Sequence, residues 1–389
     1  MKIVFYLYRF PAIGGIENVT TFLANAFVRE GHVVEIISHI GARGQERAQI
    51  IDPRIQVLKM PESGYVSRSN RVFIREHIAQ AKPDVIIFQD SYAPIENNLF
   101  SVIDDVPLIV CEHNAPYVGY VEEMAWGRTL RSVLRKALDP VWRRMRSIKM
   151  TRRRQFLYKV SRRYVLLSNR FFGEFRAITE LCDSRKLLAI PNPNLAENAV
   201  PDNKQKENEI IFVGAVNFRK GCDMLLKVWE RIAARYPDWR LTVVGDGSLR
   251  ADLEARASVA KIPRVQFEGY RTDPTNYFRR ARLFAFPSRR EGWGLVIQEA
   301  QSYGCVPVVF DSFASVRDVI TDCVSGAIVP AFDCDAFAIR LEELIKDPET
   351  LERLAQGAIE SVARHKVDDV LNCWRQLLLS IANSKSRAL

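Results

Sequence analysis

The sequence predicts an α/β fold made of two doubly wound domains that face each other across a cleft. The chain has 389 residues, more than one typical core accommodates. Short β-branched apolar runs alternate with longer amphipathic segments, which is the pattern of parallel α/β layers. The alternation breaks once, at PNPNLAENAVPDNKQKEN (191–208), where Pro, Asn and charged residues are typical of a linker.

The break divides the chain into a first domain at 1–194, a linker at 195–208 and a second domain at 209–365. A C-terminal helix at 366–389 is expected to pack back on the first domain. Apolar β-branched runs predict the strands of the first domain near 2–8, 33–38, 55–59, 84–88, 107–112, 163–167 and 186–190. Amphipathic segments predict its helices near 16–30, 69–81, 94–103, 128–159 and 169–180.

In the second domain the same alternation begins at the run EIIFVG (209–214). Further strands are predicted near 240–244, 264–267, 283–286, 306–310 and 326–329. Helices are predicted near 222–235, 248–259, 274–281, 295–303, 333–346 and 349–364. Ligands of such sheets bind outside the carboxyl ends of the strands, so the loops that follow strands are the places to look for function.

Composition places the chain among soluble globular proteins of a reducing compartment. It is 48% hydrophobic and 26% charged, without an apolar run of signal-peptide or membrane-spanning length. The seven cysteines are scattered and form no C-x-x-C pair, which argues against a disulfide framework or a zinc site. We expect a cytoplasmic protein. The acidic pair in DCD (333–335) opens a predicted helix and is a cap rather than a metal motif.

The loop RFPAIGGIENVT (9–20) follows the first predicted strand and leads into a helix at about Ile16. Gly14 and Gly15 leave the backbone free of side chains at that helix start, where a phosphate or another anion can approach closely. A tight strand-to-helix turn explains the pair equally well. The spacing is not the G-x-G-x-x-G fingerprint, which disfavours binding of NAD.

The loop VGAVNFRKGCDML (213–225) also follows a strand. Arg219 and Lys220 stand directly before Gly221, at the mouth of the next helix. Adjacent cations beside a helix N-terminus concentrate positive charge where a diphosphate could bind.

The stretch EGWGLVIQEA (291–300) places two carboxylates eight positions apart. Glu291 lies in a loop, Gly292 and Gly294 free the backbone, and a helix starts near Leu295. The first amides of that helix have no intrahelical partner and can point at a phosphate, whereas Glu299 lies one turn further along. An acid, then amides, then a second acid suit a sugar, a diphosphate and a ribose in sequence.

The loop VCEHNAP (110–116) ends a strand of the first domain and carries His113, one of five histidines. Its position is that of a cleft residue, although a histidine in a loop is often structural. Glu112 and Asn114 beside it are candidate orienting partners.

These loops together resemble family 4 glycosyltransferases of the group 1 type, and the resemblance is strongest in PSRREGWGLVIQEAQSYGCVPVV (287–309). The resemblance covers essentially the whole chain. It implies the GT-B fold of two Rossmann-like domains, with the acceptor bound by the first and a nucleotide sugar by the second. It also implies a hexosyltransferase that retains the anomeric configuration, uses UDP as the default carrier, and needs no metal or other cofactor.

The resemblance also implies roles for individual residues. Glu291 would hold hydroxyls of the donor sugar, Glu299 would take the ribose hydroxyls, and Lys220 with Arg219 would stabilise the leaving diphosphate. The donor-binding set would be completed by glycines and backbone amides at Gly14, Gly15, Gly292, Gly294, Leu295 and Val296. His113 would lie beside the donor sugar on its acceptor side. Many members carry an arginine where this chain has Ala215, a place that Arg219 would fill.

Two other functions remain open from the sequence. A sugar phosphorylase or a nucleotide-sugar epimerase shares the fold and the donor half, and product analysis separates it from a transferase. A nucleic-acid-binding protein is the remote alternative, since a basic stretch is present but no nucleic-acid motif accompanies it. We expect nucleic acid not to be a partner.

That basic stretch, residues 128–163, contains 14 Lys or Arg and one acid, a net charge of +13 in a chain whose total is +10. Apolar residues recur through it at three- and four-residue spacing: Leu130, Val133, Leu134, Leu138, Val141, Trp142, Met145 and Ile148. A basic amphipathic helix of this kind suits anionic lipid. We therefore expect peripheral binding to the inner face of the cytoplasmic membrane through Trp142, Arg143, Arg144 and Arg146. A lipid-linked acceptor, or surface-polysaccharide synthesis in bacteria, would explain such binding.

Overall fold

The computed structural model describes residues 1–12, 14–41, 50–91, 93–99, 102, 106–116, 130–196 and 206–386, apart from the side chains of 130–140, 142, 143 and 384–386. The chain divides into two compact units. The first unit comprises residues 1–120, 137–192 and 368–389, and the second comprises 121–136 and 193–367.

The first unit is built on a seven-stranded parallel sheet in the order β3-β2-β1-β4-β5-β6-β7. Its strands are β1 (Lys2–Arg9), β2 (Val33–Ile40), β3 (Gln56–Lys59), β4 (Val85–Phe88), β5 (Leu108–Glu112), β6 (Arg163–Leu166) and β7 (Leu187–Ala189). The first four helices of the chain are α1 (Gly15–Arg29), α2 (Arg68–Ala81), α3 (Leu130–Val160) and α4 (Phe171–Thr179). Every residue of β4 and β5 is buried, as expected for strands covered on both faces.

The second unit is built on a six-stranded parallel sheet in the order β10-β9-β8-β11-β12-β13. Its strands are β8 (Glu207–Val213), β9 (Arg240–Val244), β10 (Val265–Gly269), β11 (Ala281–Phe286), β12 (Val306–Phe310) and β13 (Ala327–Val329). Its helices are α5 (Cys222–Ile232), α6 (Arg250–Val259), α7 (Thr275–Arg280), α8 (Leu295–Ser302), α9 (Val316–Val319), α10 (Cys334–Lys346) and α11 (Pro348–Ser361).

The last helix, α12 (Val367–Ser386), belongs mostly to the first unit. The ring of Trp374 packs edge-on against Phe27 of α1, with centroids 6.3 Å apart. Arg375 pairs with Glu30 at the end of α1, at 2.7 Å between Nη2 and Oε1. An aromatic contact and an ion pair therefore join the C-terminal helix to α1.

The strand order reverses direction once in each sheet, between β1 and β4 in the first and between β8 and β11 in the second. Such a switch point leaves a crevice at the carboxyl ends of the two strands, because the loops that follow them lead to opposite faces of the sheet. The chain segments that follow β8 and β11 contain Lys220 and Glu291, and those that follow β1 and β4 contain Gly14 and Gln89.

One predicted helix is wrong in extent. The segment near 94–103 holds only a 3₁₀-helix at Glu96–Asn98 within the described residues. The buried side chain of Asn98 donates to the carbonyl of Tyr65 and to the Tyr6 hydroxyl, and Glu96 pairs with Arg153. Asparagine favours such turn geometry over a helix interior, and these contacts hold the short form in place.

Candidate active site

The two loops at the switch point of the second sheet are fastened to each other. The Arg289 amide donates to the carbonyl of Arg219 at 2.8 Å. The Arg289 guanidinium forms a bidentate ion pair with Asp223, both bonds at 2.7 Å, and lies 3.6 Å above the ring centroid of Phe218. A planar fork bonded on its edge and stacked on its face is strongly held, so the two loops form one rigid frame.

A glycine allows the close approach of these loops. Gly221 precedes α5 with φ of +74° in the left-handed region, and a Cβ at this position would lie 1.9 Å from the carbonyl oxygen of Pro287. Any side chain would therefore push the 213–221 loop away from the end of β11. Lys220, one residue earlier, is held against the loop that carries Glu291.

An ion pair forms the centre of this frame. The Nζ of Lys220 lies 2.6 Å from Oε1 of Glu291, and the Arg219 guanidinium donates to the same oxygen at 3.2 Å. The hydroxyl of the buried Ser288 also donates to Oε1, at 2.8 Å. Within the described residues, the three contacts of Glu291 therefore fall on one carboxylate oxygen, which leaves Oε2 for another donor.

The protonation equilibria of this pair follow from burial and charge. Burial lowers the pKa of Lys220, although the attraction of Glu291 opposes that shift. Burial by itself would raise the pKa of Glu291, but the charges of Lys220 and Arg219 outweigh it and hold that pKa below its usual range. The site thus keeps an ionised carboxylate next to a poorly solvated ammonium group.

Helix α8 starts beside this pair. Gly294 takes a left-handed conformation, with φ of +86°, directly before the helix begins at Leu295. The Ile297 amide already bonds back to the carbonyl of Gly294 at 2.8 Å. The preceding amides, of Leu295 and Val296, belong to the first turn and have no intrahelical acceptor. The loop before them is braced from behind, since Ser315 donates to the carbonyl of Gly292 at 2.8 Å.

The second acid, Glu299, lies on α8 and is partly buried. It makes no hydrogen bond or ion pair within the part of the chain that the structure describes. Burial raises the pKa of its carboxyl to about 7, and the charge of Lys220 opposes the rise only partly. A carboxyl group that is desolvated and has no protein partner is suited to bind hydroxyls of a ligand.

In the first unit, Gly14 and Gly15 lie where the sequence predicts, between β1 and the start of α1. A Cβ on Gly14 would lie 2.2 Å from the Oε2 of Glu17, so this glycine makes room for a carboxylate folded back over the helix start. Glu17 thus lies where an anion is favoured by the helix dipole, a contact that the sequence pattern did not reveal.

His113 follows β5 and is oriented by a residue that sequence reasoning missed. Its Nε2 lies 2.5 Å from Oε1 of the fully buried Gln89, which follows β4. The suggested partner Glu112 is committed elsewhere, to Arg154 at 2.6 Å and to the Tyr164 hydroxyl at 2.7 Å. A polar residue directly after a strand at the switch point was the available signal for Gln89.

Comparison with known families agrees with this geometry. The family model described as Glycosyltransferase Family 4 matches residues 13–193, and the one described as Glycosyl transferases group 1 matches residues 196–361. The chain belongs to the group 1, family 4 glycosyltransferases. It is accordingly an enzyme of the hexosyltransferase class, and its two parallel sheets have the GT-B fold.

Full-length relatives of this glycosyltransferase are diverse. An uncharacterized glycosyltransferase of Haemophilus influenzae is 26% identical over 97% of this chain and 99% of its own. A Campylobacter jejuni enzyme named GalNAc-alpha-(1->4)-GalNAc-alpha-(1->3)-diNAcBac-PP-undecaprenol alpha-1,4-N-acetyl-D-galactosaminyltransferase is 23% identical over 99% and 100%. The pneumococcal O-GlcNAc transferase GtfA, solved with UDP and GlcNAc, superposes with a TM-score of 0.77 at 12% identity, covering 98% of this chain and 99% of its own.

The basic helix of this glycosyltransferase, α3, is not uniformly exposed to solvent. Arg153 and Arg154 are buried and pair with Glu96 at 2.7 Å and with Glu112 at 2.6 Å. They carry structural ion pairs, because a buried charge is stable only when it is paired.

A different part of α3 is exposed. Arg144 and Arg146 are exposed, together with the apolar side chains of Val141, Met145 and Ile148, which are spaced by four and three residues. The side chains of Trp142 and Arg143, which the membrane prediction also names, lie outside the described part of the chain. Among the described residues, no helix is both long and apolar enough to cross a membrane.

Proposed function

We propose that this glycosyltransferase moves a sugar from a UDP-sugar to a lipid-linked saccharide acceptor, with retention of the anomeric configuration, in the synthesis of a bacterial surface polysaccharide. The observation that carries the proposal is the Lys220–Glu291 pair, 2.6 Å long, at the switch point of the second sheet. It joins a cation suited to phosphate with an acid suited to sugar hydroxyls.

The donor is proposed to lie along the start of α8. Oε2 of Glu291 would accept hydroxyls of the sugar, since Oε1 already holds Lys220 and Ser288. The amides of Leu295 and Val296 would meet the diphosphate, as the N-terminus of a helix favours anions. Glu299 would accept from the ribose hydroxyls. The order of these groups matches the order of sugar, diphosphate and ribose in a nucleotide sugar.

The departure of the diphosphate explains why two cations, Lys220 and Arg219, lie at this site. When the bond between the anomeric carbon and the diphosphate oxygen breaks, negative charge grows on the diphosphate. Lys220 and Arg219 would stabilise that charge, and stabilisation that strengthens in the transition state raises turnover. Retention follows if the acceptor oxygen bonds the anomeric carbon on the departing face while its proton passes to the leaving phosphate oxygen.

The choice of UDP rests on similarity. The pneumococcal O-GlcNAc transferase whose fold this chain shares is solved with UDP. The lipid-linked acceptor rests on the Campylobacter jejuni relative, whose name specifies an undecaprenol-linked substrate.

The exposed part of α3 supports a membrane location for such an acceptor. Val141, Met145 and Ile148 offer apolar side chains, and Arg144 and Arg146 offer charge that complements anionic lipid. A cation near such a surface contributes roughly 1 kcal/mol. We propose reversible binding to the inner face of the cytoplasmic membrane through this patch.

Co-sedimentation with liposomes tests the membrane proposal. We expect binding to vesicles with anionic lipid, weaker binding at high salt, and none to neutral vesicles. Changing Arg144 and Arg146 to Glu should abolish it, whereas changing the exposed Lys159 and Arg162 to Glu is a matched control of equal charge at the end of the same basic stretch. Equal sedimentation of the Arg144/Arg146 variant and wild type would contradict the proposal.

Donor and reaction are tested together. A panel of nucleotide sugars screened by thermal shift identifies the donor, because a ligand that binds the folded state raises its stability. With that donor and a lipid-linked oligosaccharide, we expect free UDP and a glycoside whose anomeric configuration by NMR equals that of the donor. A sugar phosphate product, or an isomerised nucleotide sugar, would favour a phosphorylase or an epimerase instead.

A further inference from the structure

The two ends of segment 193–367, which makes up most of the second unit, are joined to each other and to helix α8. The Asn194 amide donates to the carbonyl of His365 at 2.9 Å, so the start of the segment meets its end. The side chain of Asn194 is fully buried, and its Nδ2 donates to the hydroxyl of Ser302, the last residue of α8, at 2.9 Å. Ser302 in turn donates to the carbonyl of Gln298, one turn earlier in the helix, at 2.8 Å.

Trp293 closes these contacts into a ring. Its indole Nε1 donates to the side-chain oxygen of Gln298 at 2.8 Å. Its ring packs edge-on against the imidazole of His365, with centroids 4.9 Å apart and planes at 87°. Trp293 is buried and follows Glu291 by two positions. Five residues thus form a closed set of contacts, which we call the α8 ring: Asn194, Ser302, Gln298, Trp293 and His365.

The α8 ring anchors the loop that carries Glu291. Glycines flank Trp293 on both sides, so the local preferences of the backbone do not by themselves fix the loop. A buried indole with its N–H bonded and its face or edge packed has one well-defined place. The backbone between Glu291 and the first amides of α8 is therefore positioned by what holds Trp293.

His365 takes part in the α8 ring as a neutral aromatic group. Burial lowers its pKa, and the charge of Asp318 opposes that shift only partly. An uncharged imidazole packed edge-on against an indole is a favourable aromatic pair. A phenyl ring can replace the imidazole in this contact, whereas a methyl group cannot.

We propose that His365 is a positioning residue for the reaction: through Trp293 it holds the Glu291 loop and the start of α8 in place, and it couples them to the ends of segment 193–367. His365 itself does not touch the donor. Coupling between two sites is reciprocal, so loss of the His365 ring should loosen the loop, and a nucleotide bound at α8 should tighten the backbone at Asn194. The place of the donor rests on the proposed function, whereas the α8 ring does not.

The first test needs no ligand. Amide hydrogen exchange of the full chain is compared between wild type, His365→Ala and His365→Phe. We expect exchange over residues 290–296 to be about fivefold faster in His365→Ala and close to wild type in His365→Phe, because only the latter keeps an aromatic pair with Trp293. Unchanged exchange in His365→Ala, or equal acceleration in His365→Phe, overturns the inference.

Two variants at the end of α8 sharpen this test. Ser302→Ala opens the α8 ring at a second place and should accelerate exchange over the same residues, and it carries the test if His365→Ala does not fold. Tyr303→Ala is the matched control, since Tyr303 stacks on Phe278 with centroids 6.3 Å apart and lies outside the ring. Acceleration over 290–296 in Tyr303→Ala as large as in Ser302→Ala would reflect general destabilisation and would overturn the ring as the cause.

The second test measures the coupling with UDP, whose binding is followed by calorimetry. We expect saturating UDP to slow exchange at the amides of Asn194 and Ala196 by about fivefold in wild type and hardly at all in His365→Ala. UDP that binds and protects the start of α8 without protecting these two amides overturns the inference. If UDP does not bind, the proposed donor is wrong, and the exchange of the free protein still decides whether His365 positions the loop.

The third test connects the α8 ring to turnover. With the donor found by thermal shift, at a temperature well below the midpoint of every variant, kcat/KM should fall about fivefold in His365→Ala and return close to wild type in His365→Phe. A variant that is merely less stable would not lose activity under these conditions. Wild-type kinetics in His365→Ala would overturn the role of His365 in the reaction.

Discussion

The two ends of the second sheet treat buried carboxylates in opposite ways. At the amino end, Glu209 is fully buried and both of its oxygens are bonded: to Arg280 at 2.7 and 3.0 Å, to Arg240 at 3.1 Å and to the Thr242 hydroxyl at 2.5 Å. At the carboxyl end, Glu291 has one bonded oxygen and Glu299 has none among the described residues.

The difference separates structural from functional acids. Taking an ionised carboxylate out of water costs several kcal/mol unless partners restore its hydrogen bonds. For Glu209, hydrogen bonds within the protein compensate that cost. Burial alone would raise its pKa, but Arg280, Thr242 and Arg240 together outweigh burial and lower it. Glu299 has no such hydrogen bonds among the described residues, and burial raises its pKa to about 7. The desolvation of Glu299 at the switch point is therefore not compensated by the protein, and hydrogen bonds from a bound ligand can compensate it.

Matched Glu→Gln changes at the two ends of the second sheet test this difference most directly. Glu291→Gln should reduce kcat/KM by about 10³-fold, because the site loses its charged bonds to the sugar and the negative charge opposite Lys220. Its thermal midpoint should change little, since the amide oxygen still accepts from Ser288 and Lys220. Glu209→Gln should instead lower the unfolding free energy by about 3 kcal/mol and leave kcat unaltered.

Thermal scans and steady-state kinetics, measured well below both midpoints, check the two variants together. An active Glu291→Gln enzyme would remove this residue from the reaction. An inactive but stable Glu209→Gln enzyme would show that the amino end is not purely structural.

The sequence predicted the loops of the site but not the pairs within them. Glycines and charges that follow apolar strands are local signals, so Arg219, Lys220, Glu291 and Glu299 could be chosen from the sequence alone. The contact between Lys220 and Glu291 could not, because it depends on β8 and β11 being neighbours although β9 and β10 separate them along the chain.

The same limit explains the wrong partner predicted for His113 and the buried arginines of α3 that the sequence did not distinguish. The local sequence offers Glu112 as the partner of His113, yet successive residues of a strand point to opposite faces, and Glu112 turns toward Arg154 and Tyr164. Arg153 and Arg154 look like solvated members of a basic run. Only the packing of α3 against its own unit reveals that they are buried against acids.

Lys220→Ala is expected to have the next largest effect. Turnover should fall by about 10²-fold, whereas the KM of the donor should change much less, because charge grows on the diphosphate mainly in the transition state. Lys227→Ala, which removes an exposed cation of α5, is the control and should be close to wild type. A raised donor KM with unchanged kcat would instead make Lys220 a group that binds the ground state.

Donor affinity should depend on pH through Glu299. Below pH 7 the free protein holds a proton on this carboxyl, and the proton must leave before the carboxylate can accept from the ribose. Affinity should therefore weaken by about tenfold from pH 8 to pH 6 and be flat above pH 8. Calorimetry with an intact UDP-sugar avoids the terminal phosphate of UDP, whose own pKa is near 6. Glu299→Gln should abolish the pH dependence, and its persistence in that variant would assign the proton to another group.

Removal of divalent ions should have the smallest effect, namely none. A nucleotide sugar that departs as a nucleoside diphosphate needs compensation for its phosphate charges, and Lys220, Arg219 and the start of α8 already supply two cations and a helix dipole of about half a charge. In the part of the chain described by the structure, no three His, Cys, Asp or Glu side chains are grouped to hold an ion. We therefore expect kcat to stay within twofold of its starting value after dialysis against EDTA. Activity that is lost in EDTA and restored by Mg²⁺ or Mn²⁺ would mean that the protein cations do not suffice, and Lys220→Ala should then respond to added metal as well.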